Sequence, residues 1–164
     1  MKIGRITISD RASAGVYPDR SGPEIELVLR EFFTDAVFES IVIPDEVELI
    51  SSALKELSDD KRCDLVVTTG GTGISVRDVT PEATRAVLKK ELPGFGEAMR
   101  MQSLLKVKTA ILSRAVAGVR GRTLIINLPG KPTAVRECLG ILESAIREAV
   151  AHLHEIDPHA NILK

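Results

Sequence analysis

Short β-branched runs alternate with stretches of helical period along most of this 164-residue chain. The spacing of its apolar residues predicts strands near 2–9, 36–43, 65–69, 115–119 and 123–127, and helices near 23–33, 46–57, 81–90, 97–105, 109–114 and 132–150. The initial order β-α-β-α-β implies parallel strands joined by right-handed crossovers. We therefore predict an α/β fold with three α/β/α layers around a mostly parallel sheet. The first strand has polar residues between its isoleucines, so we expect it to be partly exposed.

A glycine-rich loop joins the strand at 65–69 to the helix at 81–90. Its three glycines allow positive φ and let backbone N–H groups converge on an anion such as phosphate. Thr80 followed by Pro81 predicts a helix start with Thr80 as the N-cap. The loop matches neither the Walker pattern nor the dinucleotide fingerprint. Taken alone, it is equally compatible with an ordinary solvated turn.

Three aspartates, Asp10, Asp45 and Asp78, each follow a predicted parallel strand. The carboxyl ends of such strands share one edge of the sheet, where ligands of this fold class bind. Three carboxylates at one edge repel each other unless a cation or a metal-bound phosphate lies among them. Capping is the alternative role for Asp45, because Glu48 stands three residues later and would complete a capping box.

Two further loops are expected at the same edge. The Pro-Gly turn over 128–133 aims the start of the helix at 132–150 toward that crevice, and Lys131 adds a full positive charge. An ordinary tight turn explains this segment equally well. The long polar loop over 9–20 is rich in Asp and Arg, which favours contact with a charged ligand.

Composition narrows the class of partner. The 164 residues suit one domain over 1–164, and 22 Lys and Arg balance 23 Asp and Glu without a basic patch. We therefore expect no nucleic-acid partner and no membrane partner. The two cysteines lack metal or redox spacing, and the amino terminus lacks a signal sequence, so a cytoplasmic location is expected.

Seven motifs distributed along nearly the whole chain carry a family resemblance. They are Ile8-Ser-Asp10, Pro18-Asp-Arg-Ser-Gly-Pro23, Ile43-Pro-Asp-Glu46, Thr68-Thr-Gly-Gly-Thr-Gly73 with Arg77-Asp-Val-Thr-Pro-Glu82, Pro93-Gly-Phe-Gly-Glu97, Ala110-Ile-Leu-Ser-Arg114 and Asn127-Leu-Pro-Gly-Lys-Pro132. Together they resemble the molybdopterin adenylyltransferases of the MogA family, which includes the G domains of Cnx1 and gephyrin.

The resemblance implies transfer of AMP from Mg-ATP to the terminal phosphate of molybdopterin, with release of pyrophosphate. It implies that Asp45 and Asp78 are catalytic and hold Mg²⁺. It further implies a set of residues that bind the substrates ATP and molybdopterin: Ser9, Asp10, Asp19, Ser21, Thr69, Gly70, Gly71, Thr72, Gly73, Ser75, Glu97, Pro129, Gly130, Lys131 and Thr133. A homotrimer and hand-over to a molybdenum-insertion protein are also implied. The alternative is a MoaB-like protein that binds pterin or forms an oligomeric scaffold without catalysis.

Overall fold

A six-stranded sheet forms the centre of the computed structural model, which describes residues 1–155. Its strands are β1 (Lys2–Ile8), β2 (Val37–Ile43), β3 (Leu65–Thr69), β4 (Lys90–Glu91), β5 (Ala117–Arg120) and β6 (Thr123–Leu128). They lie in the order β2-β1-β3-β6-β5-β4. The first four strands of that order are parallel, whereas β5 runs antiparallel to β6 and β4 runs antiparallel to β5. The predicted mostly parallel sheet is confirmed.

Helices cover both faces of this sheet. They are α1 (Asp10–Ser13), α2 (Ser21–Phe32), α3 (Val47–Lys55), α4 (Thr80–Arg85), α5 (Pro93–Leu104) and α6 (Pro132–Leu153). A π-helical turn over Glu56–Asp60 continues α3, and a 3₁₀ helix over Lys108–Leu112 follows α5. Against the sequence prediction, α4 is shorter, α1 lies inside the loop expected over 9–20, and the two-residue strand β4 is additional.

Two apolar cores lie on opposite faces of the sheet, as three layers require. The larger core packs α2, α5 and α6 against one face and includes Ile25, Leu29, Leu139 and Ile146. The smaller core packs α3 and α4 against the other face and includes Ile50 and Leu54. Both cysteines are buried free thiols within these cores.

The expected partial exposure of the first strand is wrong. β1 lies between β2 and β3, and every residue from Ile3 to Ile8 is buried. The edge strands of the sheet are β2, which is partly exposed, and the short β4, which is exposed. The polar side chains of β1 are buried because Arg5 and Thr7 both donate hydrogen bonds to Asp19, in the loop before α2. Among the described residues, no helix is long and apolar enough to cross a membrane.

Candidate active site

Two adjoining cavities open where the parallel strands β1, β3 and β6 end. The first has a volume of about 350 Å³ and the second about 540 Å³. Asp78 and Gly130 line both cavities, so the two spaces meet at these residues. This position agrees with the rule that ligands of open α/β sheets bind beyond the carboxyl ends of the strands.

Most of the predicted site residues line one of these cavities. The first cavity contains Ser9, Asp19, Ser21, Asp45, Thr69, Gly70, Gly71, Asp78 and Gly130. The second contains Thr72, Gly73, Ser75, Asp78, Pro129, Gly130, Lys131 and Thr133. Two predicted residues line neither of these cavities. Asp10 contacts Asp45 from behind, and Glu97 is exposed on α5.

The glycine loop is tightly packed, and this packing requires glycine at two positions. Gly70 and Gly71 have φ angles of +98° and +61°. A Cβ at Gly70 would lie 2.2 Å from the Ile8 carbonyl oxygen, and one at Gly71 would lie 2.3 Å from Thr80 Oγ1. Thr80 is not the N-cap, since α4 begins at Thr80 itself and Val79 occupies the cap position. The Thr80 hydroxyl instead donates to the Gly70 carbonyl at 2.9 Å, which fixes the loop.

The Pro-Gly turn lies directly against the glycine loop. Thr69 Oγ1 donates to the Pro129 carbonyl at 2.7 Å, and the Gly70 N–H donates to the Leu128 carbonyl at 3.2 Å. A Cβ at Gly130 would lie 3.5 Å from Gly70 Cα. The turn also leads into α6, whose first residue is Pro132. The partial positive charge at the start of this long helix therefore lies beside the junction of the two cavities.

Asp45 is held by Asp10 and does not cap α3. The N-cap of α3 is Glu46, and its side chain makes no capping hydrogen bond. Asp45 Oδ2 accepts the Asp10 N–H at 2.9 Å, while the Asp45 N–H donates to Asp10 Oδ1 at 3.0 Å. The predicted capping box is therefore wrong, because a partner distant in sequence takes the carboxylate.

Opposite charge stabilises Asp10 in this arrangement. The Arg77 guanidinium makes a two-point contact with the Asp10 carboxylate, at 2.9 Å from Nε and 2.7 Å from Nη2. The hydrogen bond from Arg77 lowers the pKa of Asp10, and the bond from the Asp45 N–H acts in the same direction. Burial raises the pKa of Asp45 above its ordinary value, and the charges of Asp10 and Asp78 add to that increase. A nearby cation would therefore stabilise the charged form of Asp45.

Asp78 is oriented by its own loop. Its Oδ2 accepts the Ser75 N–H at 2.8 Å, and its N–H donates to the Ser75 carbonyl at 2.9 Å. Asp45 and Asp78 therefore share one arrangement, in which a backbone N–H anchors Oδ2. Within residues 1–155, Oδ1 of each aspartate accepts no hydrogen bond from the protein.

This donor set fits a magnesium ion that is shared with a substrate. No group of three or more His, Cys, Asp or Glu side chains suited to a metal is found among residues 1–155. Mg²⁺ in nucleotide enzymes is commonly held by one or two carboxylates together with substrate phosphates. Asp45 Oδ1 and Asp78 Oδ1 supply two such oxygens at the wall of one cavity. The absence of a Cβ at Gly71 leaves room beside Asp45 Oδ1, from which that Cβ would lie only 2.9 Å away.

A family model described as a probable molybdopterin binding domain matches residues 4–150. The chain belongs to this family. The match covers every strand of the sheet beyond the first two residues of β1 and all the residues that line the two cavities. The family predicted from the seven motifs is thereby confirmed.

Relatives and solved structures of this family extend the comparison. The chain is 55% identical over 145 residues to a molybdopterin adenylyltransferase of Helicobacter pylori, which covers 88% of this chain and 82% of that protein. A solved structure of MogA superposes with a TM-score of 0.87 at 42% identity, covering 93% of this chain and 99% of that one. The molybdopterin biosynthesis enzyme MoaB from Thermus thermophilus superposes with a TM-score of 0.82 at 41% identity, covering 94% and 96%.

Sequence reasoning missed two arginines that support residues lining the two cavities. Arg5 is only 8% exposed and binds Asp19 and Glu26. A charged residue inside an apolar strand was the signal that could have indicated it. Arg114 contacts the segment from Thr72 to Glu82 at four points. Its signal was its place at the end of the motif over 110–114, to which no role had been assigned.

Proposed function

We propose that this chain is a molybdopterin adenylyltransferase that transfers AMP from ATP to the terminal phosphate of molybdopterin and releases pyrophosphate. The observation that carries the proposal is the pair Asp45 and Asp78. Both side chains line one cavity beside the glycine loop, and each keeps one carboxylate oxygen without a protein donor. The 55% identity to a protein named molybdopterin adenylyltransferase supports the same activity.

The reaction is a substitution at the α-phosphorus of ATP. An oxygen of the molybdopterin phosphate forms a bond to that phosphorus, and the bond to the oxygen that bridges the α- and β-phosphates breaks. The departing pyrophosphate takes the electron pair of the broken bond. Catalysis of such a transfer consists mainly of aligning the reactants and stabilising their negative charge.

Several groups of the chain can stabilise the negative charge of the reactants. Backbone N–H groups of the loop over 71–73, the hydroxyl of Thr133 and the first turn of α6 surround the junction of the cavities. Lys131, which lines the second cavity, adds a positive charge. Mg²⁺, when bound by Asp45 and Asp78, supplies the charge neutralisation that the triphosphate requires.

The two cavities suggest how the substrates divide the site. The first cavity is rich in hydroxyl groups, from Ser9, Tyr17 and Ser21, which suit the many hydrogen-bonding positions of a pterin. The second cavity contains Met99, Val107 and Leu112, which suit the faces of an adenine ring. Asp78 and Gly130 lie at the junction, where the phosphates of the two substrates would meet.

The same proposal includes the oligomeric state, cellular location and partner expected for this family. It comprises a homotrimer, a cytoplasmic location and hand-over of the adenylylated product to a molybdenum-insertion protein. Large apolar side chains such as Leu105 and Ile111 are exposed near the second cavity and could be covered by a second subunit. Light scattering during size-exclusion chromatography tests the trimer, and a mass corresponding to a monomer would contradict it.

The decisive experiment measures pyrophosphate release from Mg-ATP and molybdopterin. We expect release by the wild type and a loss of about 100-fold or more in kcat for Asp45→Asn and for Asp78→Asn, as for other groups that align reactants. Asp35→Asn is the matched control, because Asp35 is exposed and lies outside both cavities. A wild type that binds both substrates without releasing pyrophosphate would support the MoaB-like binding protein instead.

A further inference from the structure

The Arg114 side chain spans a loop that contains a proposed catalytic aspartate. Its Nε donates to the Gly73 carbonyl at 2.7 Å and its Nη2 donates to the Asp78 carbonyl at 2.5 Å. On the outer side, Nη1 forms an ion pair with the carboxylate of Glu82 in α4. The Arg114 N–H also donates to the Thr72 carbonyl at 2.9 Å.

These contacts close the loop at both of its ends. Gly73 and Asp78 are the first and last residues of the segment over 73–78, and the paired contacts between Ser75 and Asp78 close it from inside. A planar guanidinium has its donors at fixed angles, so it sets the distance between the two carbonyls that it binds. Arg114 thereby holds the backbone of Asp78, from which the carboxylate projects toward the Ser75 N–H.

Arg114 is itself held in place from behind. Arg100, on α5, donates through Nη1 to the carbonyls of Ser113 and Ala115, at 3.3 and 3.1 Å. These two residues flank Arg114, and Ala115 is buried in the larger core. Arg114 therefore connects the loop over 73–78 to a segment that is anchored in the larger core.

Arg114 does not line either cavity, and each of its three guanidinium nitrogens contacts a protein acceptor. A direct role in binding phosphate is therefore not indicated by its position. Its contacts are directed at the groups that do line the cavities, namely Thr72, Gly73 and Asp78.

We propose that Arg114 is a positioning residue that holds Asp78 and the glycine loop in the conformation that binds the nucleotide phosphates. The proposal rests on the proposed function for the role of Asp78. Asp45 is oriented separately, by Asp10 on the opposite side of the cavity. Loss of Arg114 should therefore impair the contribution of Asp78 to nucleotide binding and leave the contribution of Asp45 intact.

The first test compares Arg114→Lys with Arg120→Lys. Arg120 is a matched control, because it also binds a carboxylate and a carbonyl, of Asp59 and Val87, away from both cavities. We expect Arg114→Lys to lower kcat by about 100-fold, since small misplacements of reacting groups have effects of that order. The KM for molybdopterin should change little, and Arg120→Lys should retain full activity.

The second test is a double-mutant cycle in equilibrium binding of the α,β-methylene analogue of ATP with Mg²⁺. We expect Arg114→Lys to weaken binding in the wild-type background and to have little further effect in Asp78→Asn, because the two residues act together. In Asp45→Asn the full weakening should persist. Additive effects with Asp78→Asn, or unaltered binding in Arg114→Lys, would overturn the proposal.

Chemical rescue distinguishes a positioning role of Arg114 from a general contribution to protein stability. Millimolar guanidinium should restore part of the activity of Arg114→Ala and none of the activity of Asp78→Asn. If both Arg114 variants fail to fold while Arg120→Lys folds, Arg114 is a stability residue and the proposal is wrong. A wild type without pyrophosphate release would refute the proposed function, whereas the binding cycle would still report on Arg114.

Discussion

Asp10 and Asp45 each accept the backbone N–H of the other, at 3.0 and 2.9 Å. This exchange joins the ends of β1 and β2 and brings two carboxylates together at the active-site edge of the sheet. Arg77 offsets the resulting repulsion by its two-point contact with Asp10. The arrangement leaves Asp45 Oδ1 beside Gly71, within reach of the first cavity.

Two replacements of Asp10 should therefore disturb the position of Asp45 to different degrees. Asp10→Ala removes the acceptor of the Asp45 N–H and leaves a half-buried donor unpaired, which costs about 1–3 kcal/mol of stability. Asp10→Asn keeps an oxygen acceptor and loses the ion pair with Arg77. We expect kcat to fall in the order wild type, Asp10→Asn, Asp10→Ala, with molybdopterin affinity maintained. Urea unfolding and steady-state kinetics check this, and equal losses in both variants would contradict it.

The raised pKa of Asp45 predicts a pH dependence of defined sign. The folded state retains the Asp45 proton at pH values where the unfolded state, with an ordinary pKa of 3.8, has lost it. The free energy of unfolding therefore falls as pH rises from 3.8 through the raised pKa, and the penalty persists at neutral pH. Asp45→Asn should thus be more stable than the wild type at pH 7, although we expect its kcat to be much lower.

Urea unfolding at several pH values measures this effect. The stability gain of Asp45→Asn should shrink as the pH falls from the raised pKa toward 3.8 and be lost below pH 3.8, because Asp45 is then protonated in both states. Asp35→Asn, at an exposed position, should show no such trend. A neutral-pH destabilisation of Asp45→Asn would show that the anchoring hydrogen bond outweighs the desolvation of the charge.

Crowding at Gly71 can be separated from backbone strain, because the chain has a glycine of similar conformation elsewhere. Gly71 has φ +61° and Gly121 has φ +59°. A Cβ at Gly71 would meet Thr80 Oγ1 at 2.3 Å and Asp45 Oδ1 at 2.9 Å, whereas one at Gly121 would meet nothing within 4 Å. Both alanine variants carry the strain of about 1–3 kcal/mol expected for positive φ.

We expect only Gly71→Ala to lose more stability than this strain accounts for. We also expect only this variant to lose nucleotide binding. Thermal unfolding and titration with the ATP analogue measure the two effects. If Gly71→Ala and Gly121→Ala behave alike in both measurements, the contact of Gly71 with Thr80 and Asp45 has no functional importance.

The sequence was sufficient for the sheet, the glycine loop and the strand-end aspartates. These features depend on local periodicity, on turn residues and on the rule that parallel strands end at one edge. The capping alternative for Asp45 and the N-cap prediction for Thr80 were wrong, although both are good capping residues by local rules. Both side chains instead form hydrogen bonds with Asp10 and Gly70, which lie 35 and 10 residues away. The contacts of Arg114 could not be predicted for the same reason, because Arg114 reaches Gly73 across 41 residues.

A buried arginine supports the wall of the first cavity. Arg5 donates to Asp19 Oδ2 at 3.0 Å and to Glu26 Oε1 at 3.0 Å, and its side chain is 10% exposed. Asp19 also accepts hydrogen bonds from Thr7, Ser21 and the Gly22 N–H. Its carboxylate is thus occupied by protein donors, so we expect Asp19 to shape the loop over 9–20 and not to bind a substrate directly.

Arg5→Met should therefore destabilise the protein and disturb molybdopterin binding. It leaves two acidic side chains without their cation, and removal of one partner from a buried ion pair costs about 3–5 kcal/mol. Arg136→Met is the control, because Arg136 pairs with two acidic residues of the same helix α2 while 48% exposed. An exposed pair of that kind contributes about 0–1 kcal/mol. We expect the KM for molybdopterin to rise in Arg5→Met alone, with the KM for ATP unchanged, because Asp19 lines the first cavity only. A rise in the KM for ATP instead would place the nucleotide, and not the pterin, in that cavity.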